Sequence, residues 1–203
     1  MLAIAAAPAL AADEPEPKYE ALVQRLKSGD LDVDFEALRM AYTRSDYYSP
    51  DDADVTELRG AMFDALAAGD MARAGDRAQR ILDRDYVDID AHLVAGIVDR
   101  RGNDDDKAEF HRSVGMALVQ SIRESGDGRS TGSAFVVIST DEELALLRSQ
   151  GLRIKSRSMT RGGGHAFDIV EVADDAGHAG KLYFNLDIPL GLAGTNVDKP
   201  EKN

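Results

Sequence analysis

The 203-residue chain contains no cysteine and no tryptophan. The absence of cysteine excludes disulfide bonds, thiolate nucleophiles and cysteine-ligated metal sites. No apolar run reaches the roughly 18 residues of a transmembrane helix, so we expect no membrane insertion. Basic residues are also scarce, with 24 Lys and Arg against 37 Asp and Glu, which gives a formal net charge of −13. Because phosphate groups are bound by clustered positive charge, this balance argues against a nucleic-acid partner.

The first twelve residues, MLAIAAAPALAA, carry no charge and precede an acidic, proline-containing segment. Small apolar residues that end in an Ala-x-Ala pattern are typical of the end of a secretory signal peptide. The positively charged region that opens such a peptide is missing, so residues 1–12 are interpreted as a signal-peptide remnant. A short apolar helix docked on the fold is the alternative. We expect a periplasmic or secreted protein whose mature chain begins near Ala12.

The hydrophobic spacing predicts helices throughout residues 18–125. One short helix is predicted at Tyr19–Ser28, and a second begins near Asp34. Ser49 and Pro50 predict the N-cap and the first position of a third helix. The N-terminal two-thirds of the chain is therefore expected to be helical.

Two glycine turns, Gly69-Asp70 and Gly102-Asn103, lie 33 residues apart, and each separates two helical segments. This period, with small residues at close-packing positions, is similar to that of tetratricopeptide-type helical pairs. A plain helical bundle explains the same pattern equally well. The last helix of this part is predicted from Lys107 to about Glu124, where the hydrophobic period changes.

A small sheet is predicted in the C-terminal third of the chain. Residues 134–138, AFVVI, form an apolar, β-branched run that indicates a buried strand. Thr140 and Glu143 match a capping box at the start of a short helix. Three further strands are predicted at Leu152–Met159, Ala166–Val172 and Lys181–Ile188.

These elements predict an α+β fold: N-terminal helical hairpins followed by a small, mostly antiparallel sheet with one helix. No Pro/Ser-rich linker separates the helical part, residues 18–125, from the sheet part, residues 133–190. Residues 13–194 are therefore predicted to form a single integrated domain. Residues 195–203 are expected to be a flexible tail.

Residues 125–147, SGDGRSTGSAFVVISTDEELALL, carry the most distinctive motif of the chain. A Gly-Asp-Gly turn is followed by Ser130, by Ser-Ala-Phe and by a Val-Ile strand. This pattern resembles a family of bacterial secreted domains known only as a domain of unknown function. Tyr47–Pro50 and Tyr86–His92 resemble other recurrent segments of that family, whereas Leu144 stands where its pattern has Tyr. The resemblance spans about residues 19–188 and implies export and one integrated unit, but no activity.

Two histidines are predicted to lie close together. His92 is 10 residues before Gly102 and His111 is 9 after it, so antiparallel packing about this turn brings the two imidazoles together. With Asp88 and Asp90 nearby, such a cluster suits zinc or nickel binding, or a His–Asp couple for proton transfer. Helix-edge histidines bonded to a carbonyl or carboxylate are the simpler interpretation. We expect no metal site and retain His92 and His111 as candidate catalytic residues.

The turn from Gly126 to Ser130 is a candidate binding site. Two glycines around Asp127 permit positive φ and free amides, which can form an anion-binding nest beside Arg129. A tight connection in which Asp127 bonds to its own turn is the structural alternative. Asp127, Arg129 and Ser130 are therefore the candidate binding residues, together with Tyr47.

Three classes of function follow from these features. The favoured one is an exported, non-enzymatic module whose helical part binds a peptide or partner protein. The alternatives are a His-dependent or metal-dependent hydrolase built on His92 and His111, and a cell-envelope structural or stress protein. No motif for a cofactor is present, so none is expected.

Overall fold

The computed structural model describes residues 17–193, which contain seven α-helices and four β-strands. The helices are α1 (Tyr19–Lys27), α2 (Phe35–Thr43), α3 (Ala53–Ala67), α4 (Met71–Leu82), α5 (Ile89–Arg101), α6 (Asp105–Glu124) and α7 (Thr140–Ser149). The predicted signal-peptide remnant and the predicted tail lie outside the described residues. Within residues 17–193, no helix is long and apolar enough to cross a membrane.

Aspartate side chains cap five of the helices, α2 to α6. Asp34, Asp70 and Asp104 each accept a hydrogen bond from a backbone amide in the first turn of α2, α4 and α6, at 2.9–3.2 Å. Each carboxylate satisfies an amide that has no partner within its helix, and its charge faces the positive end of the helix dipole. These signals are local, which explains why the helices predicted near Asp34 and Lys107 lie close to their expected positions.

Two helix starts differ from the prediction. α3 is capped by Asp52, whose carboxylate accepts from two amides of the first turn, and not by Ser49. α7 is capped by Ser139, which accepts from the Glu142 amide, and not by Thr140. In both places a neighbouring residue of the same capping class occupies the last extended position before the helix, and that position decides which side chain reaches the free amides.

The four strands form one mixed sheet in the order β1-β4-β3-β2. β2 and β3 are antiparallel, as are β3 and β4, whereas β1 is parallel to β4. The predicted α+β fold, with helices first and a mostly antiparallel sheet after them, is confirmed. The strands are β1 (Phe135–Val136), β2 (Arg153–Gly162), β3 (His165–Ala173) and β4 (Ala179–Asn185).

The first and last strands are shorter than predicted. β1 contains only Phe135 and Val136, because the Ile138 amide donates to the Glu142 carboxylate, at 2.9 Å, instead of to a strand. β4 ends at Asn185, whose side-chain oxygen accepts from the Asp187 amide at 2.8 Å and starts a turn. Both strands therefore end where a side chain takes over a backbone hydrogen bond.

One continuous hydrophobic core lies between the helices and one face of the sheet. Consecutive helices from α3 to α6 pack on their sequence neighbours, as both the repeat and the bundle interpretations predict. Fully buried side chains come from both parts of the chain; they include Leu26, Leu38, Met62, Ile81, Leu118, Ile122, Ile138, Leu146 and Phe184. Burying this apolar surface is the main force that holds the sheet on the helices.

A buried arginine connects the helical part to the sheet part. Arg39 of α2, only 1% exposed, donates two hydrogen bonds of 2.7 Å to the Glu142 carboxylate of α7. It also donates to the Ser121 hydroxyl of α6 at 2.9 Å and to the Val136 carbonyl of β1 at 2.8 Å. All five guanidinium donors of an arginine need acceptors when buried, so this site fixes four elements relative to each other.

A second group of ion pairs, built on the buried carboxylates of Asp88 and Asp90, lies beside it. Arg59 of α3 donates to Asp88 at 2.5 Å and to Asp141 of α7 at 2.7 Å. Arg148 of α7 pairs with Asp90. These contacts again join helices of the N-terminal part to α7.

Glu143 forms a third buried site on the face of the sheet. Sequence analysis places it in a capping box, but its carboxylate lies 2.5 Å from the Arg157 guanidinium, which also donates to Asp168 of β3. Glu143 and Asp168 are both buried, so two carboxylates share one arginine. Burial raises the pKa of Glu143 to about 8, and the nearby negative charge of Asp168 adds to this effect.

Candidate functional site

A cleft of about 630 Å³ opens between the loop that follows α6, residues 126–133, and the β3–β4 hairpin. This size lies within the roughly 300–1,000 Å³ of typical ligand pockets. Its apolar lining consists of Phe135, Leu152, Val172 and Leu182. Its charged and polar lining includes Arg123, Asp127, Arg129, Asp174, His178 and Lys181.

The loop is closed by hydrogen bonds of its own. The amides of Asp127 and Gly128 donate to the Ser133 carbonyl at 3.0 and 2.8 Å. The Arg129 amide donates to Asp127 Oδ1 at 2.9 Å, and the Ser133 hydroxyl donates to the same oxygen at 2.6 Å. These amides are therefore engaged within the loop, as in the tight connection that the sequence also allowed, and do not form a nest of free donors. An anion in the cleft would meet the Arg129 side chain instead.

Two glycines make this loop possible. A Cβ on Gly126 would lie 2.5 Å from the Ser133 carbonyl oxygen and 2.6 Å from that of Ala134. Gly128 has a φ of 66°, and a Cβ there would collide with the Phe135 ring. The Gly128 carbonyl accepts from the Tyr183 amide at 2.9 Å, so the loop is attached to β4. Because both glycines are required, the loop holds its side chains at defined places on the rim of the cleft.

The loop also contains a motif that sequence reasoning missed. Gly128-Arg129-Ser130-Thr131-Gly132 matches the Gly-x-Ser-x-Gly spacing of a serine hydrolase elbow. That elbow needs a strained serine between a strand and a helix, whereas Ser130 is extended, with φ −152° and ψ 169°. Its hydroxyl lies 3.0 Å from the Ser133 hydroxyl, and Ser130 does not line the cleft. The geometry therefore does not support a nucleophile here.

The two carboxylates of the cleft form hydrogen bonds within the turns that contain them. Hydrogen bonds from the Ser133 hydroxyl and the Arg129 amide lower the pKa of Asp127. The Asp174 carboxylate accepts from the His178 amide at 2.8 Å and lies 2.9 Å from the His178 ring, which lowers its pKa. Both aspartates are therefore charged, but their oxygen atoms are used within the two turns.

The arginines of the cleft are not paired in the same way. Arg123 and Arg129 form no ion pair with any carboxylate of residues 17–193, and Lys181 has one at 3.7 Å with Glu171. Two guanidinium groups thus reach the cleft, and their N–H groups have no hydrogen-bond acceptor among the described residues. Arg80, Arg101 and Arg161 also lack an ion pair among the described residues, but they do not line this cleft.

The structure brings the two candidate catalytic histidines together. His92 Nδ1 lies 2.9 Å from His111 Nδ1, and His92 Nε2 lies 3.0 Å from the Tyr86 carbonyl oxygen. A carbonyl only accepts, so His92 Nε2 carries the hydrogen and His92 Nδ1 accepts from His111. Burial lowers the pKa of His92 to about 3, so this imidazole is neutral. Both of its nitrogens are therefore used inside the protein.

The aspartates expected near His92 have other partners. Asp88 accepts from Arg59 and from the Ala91 amide, and Asp90 binds Arg148. Among residues 17–193, no group of three or more His, Cys, Asp or Glu residues is arranged to hold a metal ion. One ring of the histidine pair is bonded to a carbonyl, as the simpler interpretation has it, and a catalytic role of His92 and His111 stays a prediction.

Tyr47 lies away from the cleft. It is 53% exposed and lines a cavity of about 20 Å³ with Tyr42, Tyr48 and Asp85. Of the candidate binding residues, the structure therefore places only Asp127 and Arg129 together at the cleft. Their role in binding stays a prediction.

A known protein family matches nearly all of the described residues. The model of a family described as Domain of unknown function (DUF4919) matches residues 10–192. The chain belongs to this family. No curated protein and no solved structure matches the sequence. The resemblance to an uncharacterised domain family is therefore confirmed.

Sequence reasoning missed five polar residues of the cleft, which are Arg123, Gln150, Asp174, His178 and Lys181. Arg123 lies in the last turn of α6, only three residues before Gly126, so its distance along the chain was a usable signal. Lys181 and His178 belong to the β3–β4 hairpin, about 50 residues away. Their approach to the loop depends on the pairing of β4 with β1, which no local pattern reveals.

Proposed function

We propose that the protein is an exported binding module and that the cleft binds a ligand with a carboxylate next to an apolar group. The observation that carries this proposal is the pair of arginines, Arg123 and Arg129, that line the cleft without an ion-pair partner among the described residues. A guanidinium group binds carboxylates through two parallel hydrogen bonds. The apolar lining beside them offers a surface for the rest of the ligand.

A peptide C-terminus has this chemistry. Its carboxylate would lie against the arginines, and an apolar terminal side chain would pack on Phe135, Leu152 and Leu182. The proposal therefore retains the peptide-binding role expected from the sequence. It moves the site from the helical part to the junction of loop and sheet.

A tripeptide test examines this proposal. We expect acetyl-Gly-Val-Leu with a free C-terminal carboxylate to bind the full chain saturably in isothermal titration calorimetry. Its C-terminal amide should bind at least about tenfold more weakly, a loss of about 1.4 kcal/mol. Decanoate and inorganic phosphate serve as further probes, because the first shares the apolar carboxylate chemistry and the second has only the charge.

Variants connect that binding to the cleft. The double variant Arg123→Gln/Arg129→Gln should lose at least about tenfold in affinity for the free acid. The matched control Arg73→Gln/Arg100→Gln, which removes two exposed arginines elsewhere, should bind as the wild type does. Equal binding of acid and amide, or equal affinity of the cleft variant and the control, would refute the proposal.

Export is the second component of the proposal. It is supported by the uncharged segment of residues 1–12 and its Ala-x-Ala pattern. We expect protein purified from the native host to have an intact mass that corresponds to a chain beginning near Ala12. A cytoplasmic product that retains Met1 would contradict export and leave the binding proposal untouched.

A further inference from the structure

Strand β2 forms one edge of the sheet. It pairs only with β3 among the described residues, and all ten of its residues are exposed. The outer side of an edge strand presents backbone N–H and C=O groups that can pair with another extended chain. Over residues Ser156–Gly162 the pairing with β3 is regular, so seven residues have the geometry of a continuous strand.

The charge of β2 is opposite to that of the molecule. Its sequence, RIKSRSMTRG, has four basic residues and no acidic one, in a chain with a net charge of −13. Arg153 pairs with Asp175, and Arg157 turns inward to Glu143 and Asp168. Lys155 and Arg161 form no ion pair with a described carboxylate, so their charges are available to a partner.

The same strand exposes two large apolar side chains. Ile154 is 42% exposed and Met159 is 57% exposed. Their register partners on β3, Val172 and Asp168, are an even number of residues apart, so both side chains lie on the same face of the sheet. β2 therefore combines backbone hydrogen-bonding groups, free positive charge and apolar contact area.

Three occupants are disfavoured by charge and sequence. A second copy of β2 would place Arg and Lys opposite Arg and Lys, which destabilises strand pairing. The chain's own acidic N-terminal segment contains Pro15 and Pro17, which lack the N–H groups that a strand must donate. The last ten residues contain two acidic and two basic side chains, so they offer no net negative charge.

We propose that β2 binds an acidic, extended segment of a partner protein as an additional strand along Ser156–Gly162. Backbone hydrogen bonds supply the affinity in this mode of recognition, and alternate side chains supply the specificity. Acidic residues of the segment pair with Lys155 and Arg161, and an apolar residue covers Met159. The basic side chains thus repel a second copy and attract an acidic partner.

Peptide binding to the full chain tests this inference. The probe is a fluorescein-labelled, C-terminally amidated peptide, Val-Thr-Glu-Thr-Val-Thr-Glu-Thr-Val, whose binding is followed by fluorescence anisotropy. Its Glu and Val side chains share one face of the strand, as Arg161 and Met159 do on β2. A version with Pro at the central position keeps the charge but lacks a backbone donor, and it should bind at least about tenfold more weakly. A Lys–Val version should not bind. Hydrogen exchange should slow at residues of β2 when the Glu–Val peptide is present.

Charge reversal locates the interaction. Lys155→Glu/Arg161→Glu should weaken Glu–Val peptide binding at least about tenfold, whereas the exposed control Arg80→Glu/Arg101→Glu should leave it unchanged. Equal binding of the Pro-containing peptide would overturn the proposal, because binding would then depend only on surface charge and not on backbone hydrogen bonds. Concentration-dependent dimerisation of the wild type that protects β2 from exchange would also overturn it. The Arg123→Gln/Arg129→Gln variant should bind this peptide normally, which separates this site from the cleft.

Discussion

Replacing Arg39 by Met is expected to lower the free energy of unfolding by about 3–5 kcal/mol, because it leaves a buried carboxylate without its charge partner. Glu142 is 5% exposed and receives two of the four Arg39 hydrogen bonds. The same change removes the donors to Ser121 and to the Val136 carbonyl. Urea denaturation followed by circular dichroism at 222 nm measures the loss.

Two further variants distinguish the loss of the buried ion pair from the removal of an arginine side chain as such. Arg73→Met removes an exposed pair with Asp70 and should cost less than about 1 kcal/mol. Arg39→Met/Glu142→Gln removes both buried charges and should be more stable than Arg39→Met by at least about 1 kcal/mol. A cost for Arg39→Met no larger than that for Arg73→Met would contradict the buried ion pair.

The same variant tests whether the helical part and the sheet part unfold together. Arg39 joins α2 to β1 and α7, so its loss is expected to lower the melting temperature of one cooperative calorimetric transition. Two resolved transitions, in the wild type or the variant, would contradict the single integrated domain predicted for residues 13–194.

The second large effect concerns pH. The pKa of Glu143 is raised from 4.5 to about 8 by burial and by the charge of Asp168. Between these values the folded protein holds a proton that the unfolded chain has released, so the contribution of Glu143 to stability is greatest at low pH and decreases as pH rises from about 4.5 towards 8. We expect this group to remove about 2–4 kcal/mol between pH 5 and pH 8.

Glu143→Gln removes the titrating group and keeps its shape. The variant should lose this dependence. The difference between its free energy of unfolding and that of the wild type should therefore shift in favour of the variant as pH rises from 5 to 8. The exposed control Glu57→Gln should follow the wild-type curve at every pH. Because the comparison uses slopes, a uniform cost of the substitution does not disturb it. Parallel curves for the wild type and Glu143→Gln would show that Glu143 is ionised in the folded protein throughout this range.

Much of the helical part was predictable because its signals are local. Asp34 and Asp104 cap α2 and α6 through amides three residues away, and the hydrophobic period marks the buried face of each helix. The approach of His92 and His111 was predictable for a related reason. Two helices joined by a short turn at Gly102 pack antiparallel, so residues at equal distances from the turn meet.

The strand at residues 134–138 shows where such reasoning fails. Its apolar pattern was read correctly as buried, but periodicity does not reveal which backbone groups find a partner. The Glu142 carboxylate takes the Ile138 amide, so the strand ends after Val136. The carboxylate reaches this position because Arg39, 103 residues earlier in the chain, holds it there.

The sequence by itself determined the order of helices and strands, the helix starts near Asp34 and Lys107 and the glycine loop at Gly126–Gly128, because each depends on neighbours within a few residues. Only the tertiary structure decided the roles of the charged side chains. Arg39 and Arg157 became partners of buried carboxylates, whereas Arg123 and Arg129 were left without one at the cleft. An arginine has the same local sequence signal in both situations. Its partner is set by which distant element packs beside it, and long-range packing is the information that a local pattern lacks.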